Sequence, residues 1–159
     1  MSSVLKVDAI QNTAGTSALT IDSSGAILKP VLPYGQASGP SSVTAATNKI
    51  ELSANVVSGG GLTVDQTNER MIVPVAGLYA IGFVHLVNNT AAQTEVNMRK
   101  NGSLILGTST QSDANSQYGG LAVHHIIELA ASDYIEWWVT AGAVHNNTNY
   151  SNMYTYLLG

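Results

Sequence analysis

The 159-residue sequence predicts an all-β protein: a short N-terminal arm of strands followed by a β-sandwich or jelly roll. Three observations carry that expectation. Apolar residues make up 45% of the chain and charged residues only 10%, against roughly 25% charge in ordinary soluble domains, so the chain has the apolar content of a folded protein without the charge of a disordered one. Gly, Ser, Thr and Asn stand where the charge is missing, and these residues favour turns and sheet surfaces over helices. From about Lys49 onward, short alternating runs recur between turn clusters.

Residues 1–33 read as the arm. Val4-Leu5-Lys6-Val7-Asp8-Ala9-Ile10 alternates as a short strand, and Asn12-Thr13-Ala14-Gly15 is a turn cluster. Leu19-Thr20-Ile21-Asp22 and Ala26-Ile27-Leu28 are two more short strands around Ser23-Ser24-Gly25. Strands this short bury too little to be stable alone. The apolar side chains of Leu5, Val7, Ile10, Leu19 and Ile21 therefore need something to lie against, which makes them the candidate attachment residues. Pro30, Pro33, Gly35, Gly39 and Pro40 punctuate the chain beyond the arm's last strand, so residues 34–48 are expected to form a linker and a first edge.

Residues 49–159 read as one domain, with strands expected near 49–57, 62–65, 70–74, 77–88, 93–100, 103–109, 119–130, 133–141 and 151–158. Gly59-Gly60-Gly61, Asn88-Asn89, Asn101-Gly102, Gly119-Gly120 and Asn146-Asn147 separate them. Asn101-Gly102 is the sharpest of these signals, a two-residue hairpin turn that tolerates positive φ at both positions. Residues 121–129 favour a strand over a helix. As a strand, Leu121, Val123, Ile127 and Leu129 share one face with His125 the exception; as a helix, Leu121 would share its face with His125 and Glu128.

The stretch from Gly77 to Val87 is apolar on both sides. Tyr79, Ile81, Phe83 and Val87 make one face with His85 among them, and Leu78, Ala80, Gly82, Val84 and Leu86 make the other. A strand in a lone antiparallel sandwich has one wet face. Either the domain's own loops cover the second face, or another copy of the chain does. The small residues favour the second reading, because they let chains approach closely around an axis. Met153-Tyr154-Thr155-Tyr156-Leu157-Leu158 repeats the feature. The candidate self-contact residues are accordingly Ala80, Gly82 and Val84, with Met153, Thr155 and Leu157 from the closing strand.

Several function classes are excluded. The net charge is −4, and of six basic residues only Arg99 and Lys100 are adjacent, whereas a phosphate-binding face needs clustered cations. No apolar run reaches membrane-spanning length, and the polar alternation after Met1 is unlike a signal peptide. Sequons at Asn88, Asn101, Asn146 and Asn149 then read as by-products of Asn-rich loops. The cysteine count is zero, so stability must come from the core or from partner chains.

Catalytic chemistry is not expected, and neither is a cofactor. The chain has no G-x-S-x-G, no G-K-S/T after a Gly-rich loop and no H-E-x-x-H. Gly59-Gly60-Gly61 has no following Lys and reads as a turn. His124 and His125 face opposite sides of a strand, which is wrong for joint ligation, so no metal site is assigned. Glu128, Asp133 and Glu136 read as solvated strand-end carboxylates, with a calcium-type oxygen site between chains as the alternative. Trp137 and Trp138 also face opposite ways: one belongs in the core, and the other stacks on a sugar or a neighbouring subunit.

Four motifs in order resemble one family. Val73-Pro74-Val75-Ala76-Gly77-Leu78-Tyr79 resembles the V-P-x-x-G-x-Y strand-turn-strand of the complement globular-head and tumour necrosis factor superfamily. Val96-Asn97-Met98-Arg99-Lys100-Asn101-Gly102 is similar to its hairpin, and Leu129-Ala130-Ala131-Ser132-Asp133-Tyr134-Ile135-Glu136-Trp137 to its L-x-x-G-D segment, with Ala131-Ser132 where the family commonly has Gly. Met153-Tyr154-Thr155-Tyr156-Leu157-Leu158 is similar to its closing strand. The resemblance spans roughly residues 45–159 and implies a ten-stranded jelly roll that packs as a homotrimer, with the even positions after Gly77-Leu78-Tyr79 lining the threefold contact. With no Gly-X-Y stalk and no Cys, only fold and assembly carry over.

The first 25 or so residues, Leu5-Lys6-Val7-Asp8-Ala9-Ile10-Gln11-Asn12-Thr13-Ala14-Gly15 onward, resemble the openings of tailed-bacteriophage virion proteins, notably tail-fibre, whisker and head-decoration chains. That resemblance implies a virion protein assembled in the bacterial host cytoplasm, with the major capsid protein or another virion protein as partner and no nucleic acid or membrane. The leading expectation is a trimeric capsid decoration (cement) protein, because the arm passes into the domain with no shaft. About 30 extended residues reach on the order of 100 Å, enough to cross to a neighbouring capsomer. The alternative is the receptor- or glycan-binding tip of a tail fibre or whisker.

Overall fold

The computed structural model describes residues 7–11, 13–14, 17–28, 31–39, 43–44, 48–87, 93–113, 119–145 and 148–159. The chain divides into two compact units, Met1–Val31 and Leu32–Gly159.

The first unit is an antiparallel three-stranded sheet of β1 (Ala9–Gln11), β2 (Ser17–Ile21) and β3 (Ile27–Leu28), in that order. The β2–β3 turn is tied by Asp22, whose Oδ1 accepts the Ser24 N–H at 2.9 Å, the Ser24 hydroxyl at 2.6 Å and the Ala26 N–H at 2.9 Å. These bonds, that from the Ser24 hydroxyl first, hold the Asp22 carboxyl below the usual carboxylate range. Gly25 completes the turn at φ 83°.

The second unit continues with β4 (Tyr34–Ser38), β5 (Val43–Thr44), β6 (Asn48–Lys49), β7 (Ala54–Gly59), β8 (Thr63–Asp65), β9 (Arg70–Ile72) and β10 (Gly77–Leu86). It is completed by β11 (Glu95–Lys100), β12 (Ser103–Leu104), β13 (Thr110–Gln111), β14 (Gly120–Leu129), β15 (Tyr134–Ala141), β16 (Ala143–Val144) and β17 (Asn152–Leu157). Among the described residues the one helical turn is a 3-10 turn at Thr148–Tyr150. A five-stranded sheet runs β14-β10-β17-β4-β7, and a seven-stranded sheet runs β12-β11-β15-β9-β8 with β13 and β6 attached; both are antiparallel. β16 and β5 form a separate pair.

The two sheets make a β-sandwich because each strand keeps its apolar set on one side. From the five-stranded sheet Tyr79, Ile81, Phe83, Leu121, Leu129 and Met153 are buried, and from the seven-stranded sheet Met71, Val96, Met98, Ile135, Trp137 and Val139. The Trp137 indole donates to the Gly82 carbonyl at 3.1 Å, joining the sheets through a satisfied polar contact. His85 shares this interior with no hydrogen-bond partner at either ring nitrogen among the described residues, and burial lowers its pKa to about 3.

The expected hairpin is present: Asn101 and Gly102 adopt φ 50° and 80° between β11 and β12, with Lys100 opposite Ser103. Its neighbour is the turn into β15, where Ser132 sits at φ 72°. Asp133 anchors that turn, accepting from Lys100 at 2.7 Å, Asn101 at 2.7 Å and the Ala130 N–H at 2.8 Å. Partial burial opposes ionisation there, but these donors outweigh it and hold the Asp133 carboxyl below its usual range.

Three expectations need correction. Residues 34–38 are not linker: β4 lies between β17 and β7, inside the five-stranded sheet. Gly35 and Ala37 look like loop residues but are buried, and a Cβ at Gly35 would displace the Leu62 side chain that packs on it just ahead of β8. The strand expected at 49–57 is two strands in different sheets. Ile50 and Leu52 are buried where the chain crosses, with the Leu52 N–H donating to Glu69 at 2.5 Å. The strand expected at 103–109 stops after Leu104, because Thr108 turns the chain back by hydrogen bonds to Ile105 and Met98.

Candidate interaction face

Cross-strand register places every residue of the five-stranded sheet on its inward or outward face. Opposite Leu78, Ala80, Gly82, Val84 and Leu86 of β10 lie Glu128, Ile126, His124, Ala122 and Gly120 of β14. On the other side of β10, Tyr156, Tyr154 and Asn152 of β17 face Ala80, Gly82 and Val84. Tyr34 and Gln36 of β4 extend the same face. It holds an unusual share of the exposed large apolar residues: Leu78, Val84, Ile126, Tyr156 and Leu158 are between 43% and 59% exposed. Glu128 is the one carboxylate on this face of the sheet's described strands, and Lys and Arg do not occur in them.

The middle of the face is a shallow trough lined by Ala80, His124, His125, Ile126, Tyr154, Tyr156 and Leu158. Tyr154 crosses β10 so that its hydroxyl bonds Nδ1 of His124. Its ring lies on Gly82, where an added Cβ would come within 2.5 Å of the Tyr154 hydroxyl and 2.7 Å of the Val123 carbonyl. Glycine at position 82 thus makes room for the chain's own tyrosine.

Of the residues expected at a self-contact, Ala80, Gly82 and Val84 are all on the outward face. Val84 is exposed, Ala80 is 8% exposed in the trough floor, and Gly82 is covered by Tyr154. Met153, Thr155 and Leu157 point the other way, opposite Phe83, Ile81 and Tyr79. Met153 and Thr155 are fully buried and Leu157 packs on the core, so these three are not surface residues. On the outward side of this strand stand Tyr154 and Tyr156, with Leu158 exposed just beyond it. Both sets on this strand are apolar enough to be core, and alternation alone gives no sign of which turns inward.

In the first unit, Val7, Ile10 and Ile21 are exposed. Leu5, and the side chain of Leu19, lie outside the described residues.

The other candidates disperse. His124 is on the outward face and His125 opposite Ile81 on the inward one. Glu136 is buried in an ion pair with Lys49 at 2.5 Å and accepts from the Trp138 indole at 3.2 Å, while Asp133 is held in its turn and Glu128 is exposed. Among the described residues no group of three His, Cys, Asp or Glu side chains is placed to hold a metal ion. Trp137 is the core tryptophan, and Trp138 lies outside under Arg99, whose guanidinium is 4.3 Å from the ring centroid. Compared with known protein-family models and with curated proteins, the chain matches none.

Proposed function

We propose that this chain is a non-catalytic structural virion protein, a capsid decoration protein that binds the phage head as a homotrimer. The observation that carries the self-assembly is the outward face of the five-stranded sheet. The 37 residues of its five strands, each covering about 4.8 Å by 3.3 Å, give roughly 590 Å², somewhat below the ~800 Å² per partner of a stable interface. Two chains of net charge −4 repel least through a face with almost no charge, which favours a second copy as its occupant.

A knob on one copy seated in the trough of the next would close a ring rather than a twofold dimer. Leu106 is 83% exposed on a turn held rigid by Thr108, and such a knob suits a trough on a neighbour. The jelly-roll reading draws support from connectivity: β9 to β10, β10 to β11, β13 to β14, β14 to β15 and β16 to β17 each pass between different sheets. The attachment reading draws on the exposed apolar residues of the first unit and on the resemblance of its sequence to phage virion chains. Three arms on one trimer would raise each arm's effective concentration for its groove. A glycan-binding tip has less support, because the outward tryptophan is already covered by Arg99.

Adding full-length protein, and protein lacking residues 1–29, to undecorated capsids tests the assignment. The full-length chain should sediment as a trimer and fill the capsid sites, and the truncated trimer should not bind. Equal occupancy by both would assign attachment to the second unit, and a monomer at micromolar concentration would overturn the trimer.

A further inference from the structure

The outward face carries a titratable pair at its centre. The His124 and Tyr154 rings stack with centroids 5.8 Å apart, and Tyr156 continues the stack 5.5 Å beyond Tyr154. Burial, and then the neighbouring Tyr156, raise the Tyr154 hydroxyl above its ordinary range. The phenol therefore keeps its proton, and its hydroxyl is hydrogen-bonded to Nδ1 of His124.

Among the described residues of the strands beside it, no carboxylate faces the pair closely enough to neutralise an imidazolium. From β10 the neighbours are Ala80, Gly82 and Val84, and from β17 Tyr154 and Tyr156. β13 brings Thr110 and Gln111. On β14 itself, Glu128 shares the face but lies four residues along, about 13 Å away. His125 points to the opposite side.

We infer that the His124–Tyr154 pair is a proton-operated latch on self-association through this face, an inference that rests on the homotrimer proposed above. A histidine takes up its proton between about pH 5 and 8. Once Nδ1 is protonated it can only donate, and the Tyr154 hydroxyl must then accept. The cation is then left beneath a partner's apolar surface, where loss of water disfavours it. The free chain keeps His124 in contact with solvent and accepts the proton more readily than the assembly does. Association must then weaken as pH falls, by up to about tenfold per protomer per pH unit once the free histidine is protonated. Three protomers compound this to about a thousandfold per pH unit in the trimerisation constant.

Sedimentation velocity of the full chain at about pH 7.5 and about pH 5.5, with far-UV circular dichroism on the same samples, tests the latch. The native chain should associate at the higher pH and release folded monomers at the lower, while His124→Gln should stay associated at both. If that variant fails to associate at all, His124→Phe, which stacks but does not titrate, takes its place in the comparison. Equal association of the native chain at both pH values overturns the latch and leaves the homotrimer standing. Acid dissociation shared by the non-titrating variant also overturns the latch, whether or not strand signal is lost. A native chain that is monomeric at the higher pH overturns the latch and the homotrimer together.

Discussion

On the outward face of the five-stranded sheet, Leu78, Val84, Ile126, Tyr156 and Leu158 stand in water beside a single carboxylate. The outward face of the seven-stranded sheet is built from the opposite materials. All four Lys and Arg residues of Leu32–Gly159 belong to its strands. Arg99 lies 4.3 Å from the Trp138 ring centroid, Lys49 5.7 Å from the same ring and Arg70 4.7 Å from Tyr134. Arg70 also pairs with Asp65 at 3.0 Å, and Lys49 with Glu136. In each pair the cationic head itself lies over the aromatic ring, so this face covers its own apolar groups. The five-stranded sheet has no cation to do so. The two faces sit over one core, and the contrast lies in a few charges: one surface covers its own apolar groups and the other leaves them in water.

The core common to both faces supplies the largest expected effect. His85 is neutral in the fold, with its pKa lowered to about 3, and becomes protonated in the unfolded chain below about pH 6.5. The unfolded state binds the extra proton, so stability is full above about pH 6.5 and falls by about 1.4 kcal/mol per pH unit below it. Urea titrations from pH 7 toward about pH 4 should show that slope, and His85→Leu should flatten it. An unchanged slope in the variant would assign acid sensitivity to another group.

Next in size is a charge placed on each face. Val84→Arg should weaken association by several kcal/mol, because an interface would have to bury an unpaired cation, while the monomer should melt as before. Thr63→Arg, on the seven-stranded sheet's outward face, should leave both association and melting within about 0.5 kcal/mol. Light scattering and calorimetry on the two variants separate the faces, and equal effects would erase the distinction. Gly82→Arg is a poor probe of the interface, since its side chain must first displace Tyr154.

Smaller still, Lys49→Met leaves the 3%-exposed Glu136 without its cation. With Lys49 about a third exposed and the pair accordingly screened, the expected loss is about 1–2 kcal/mol, read from the urea midpoint, with association untouched. The smallest effect is a gain. Ser132 holds φ 72°, which costs a residue with a Cβ about 1 kcal/mol. Ser132→Gly relieves that strain but frees the unfolded chain, so a net gain of about 0.5 kcal/mol is expected in thermal melting.

Much of the strand pattern was legible in the sequence because period-two alternation and turn chemistry are local. The Asn101-Gly102 hairpin, the two ten-residue strands β10 and β14 and the turn at Gly59-Gly60-Gly61 all announce themselves within a few residues. β4 did not, because its inward positions are small residues whose value lies in what packs against them. The candidate face was half legible. On β10 the aromatic and branched set of Tyr79, Ile81 and Phe83 claims the core and leaves Ala80 and Val84 outside. On β17 the two sets compete evenly, and the expected face was the wrong one.

By itself, the sequence determined that the chain is all-β, that its apolar residues exceed what one sheet face needs and that its few cations lie in particular strands. Each of these follows from residue type and local spacing. Only the tertiary structure decided that Met153 and Thr155 face inward, that Tyr154 crosses Gly82 to reach His124 and that the cations gather over the rings of one sheet. Which face of a strand is buried depends on its register against strands distant in the chain, and a shift of one residue would turn every side chain over.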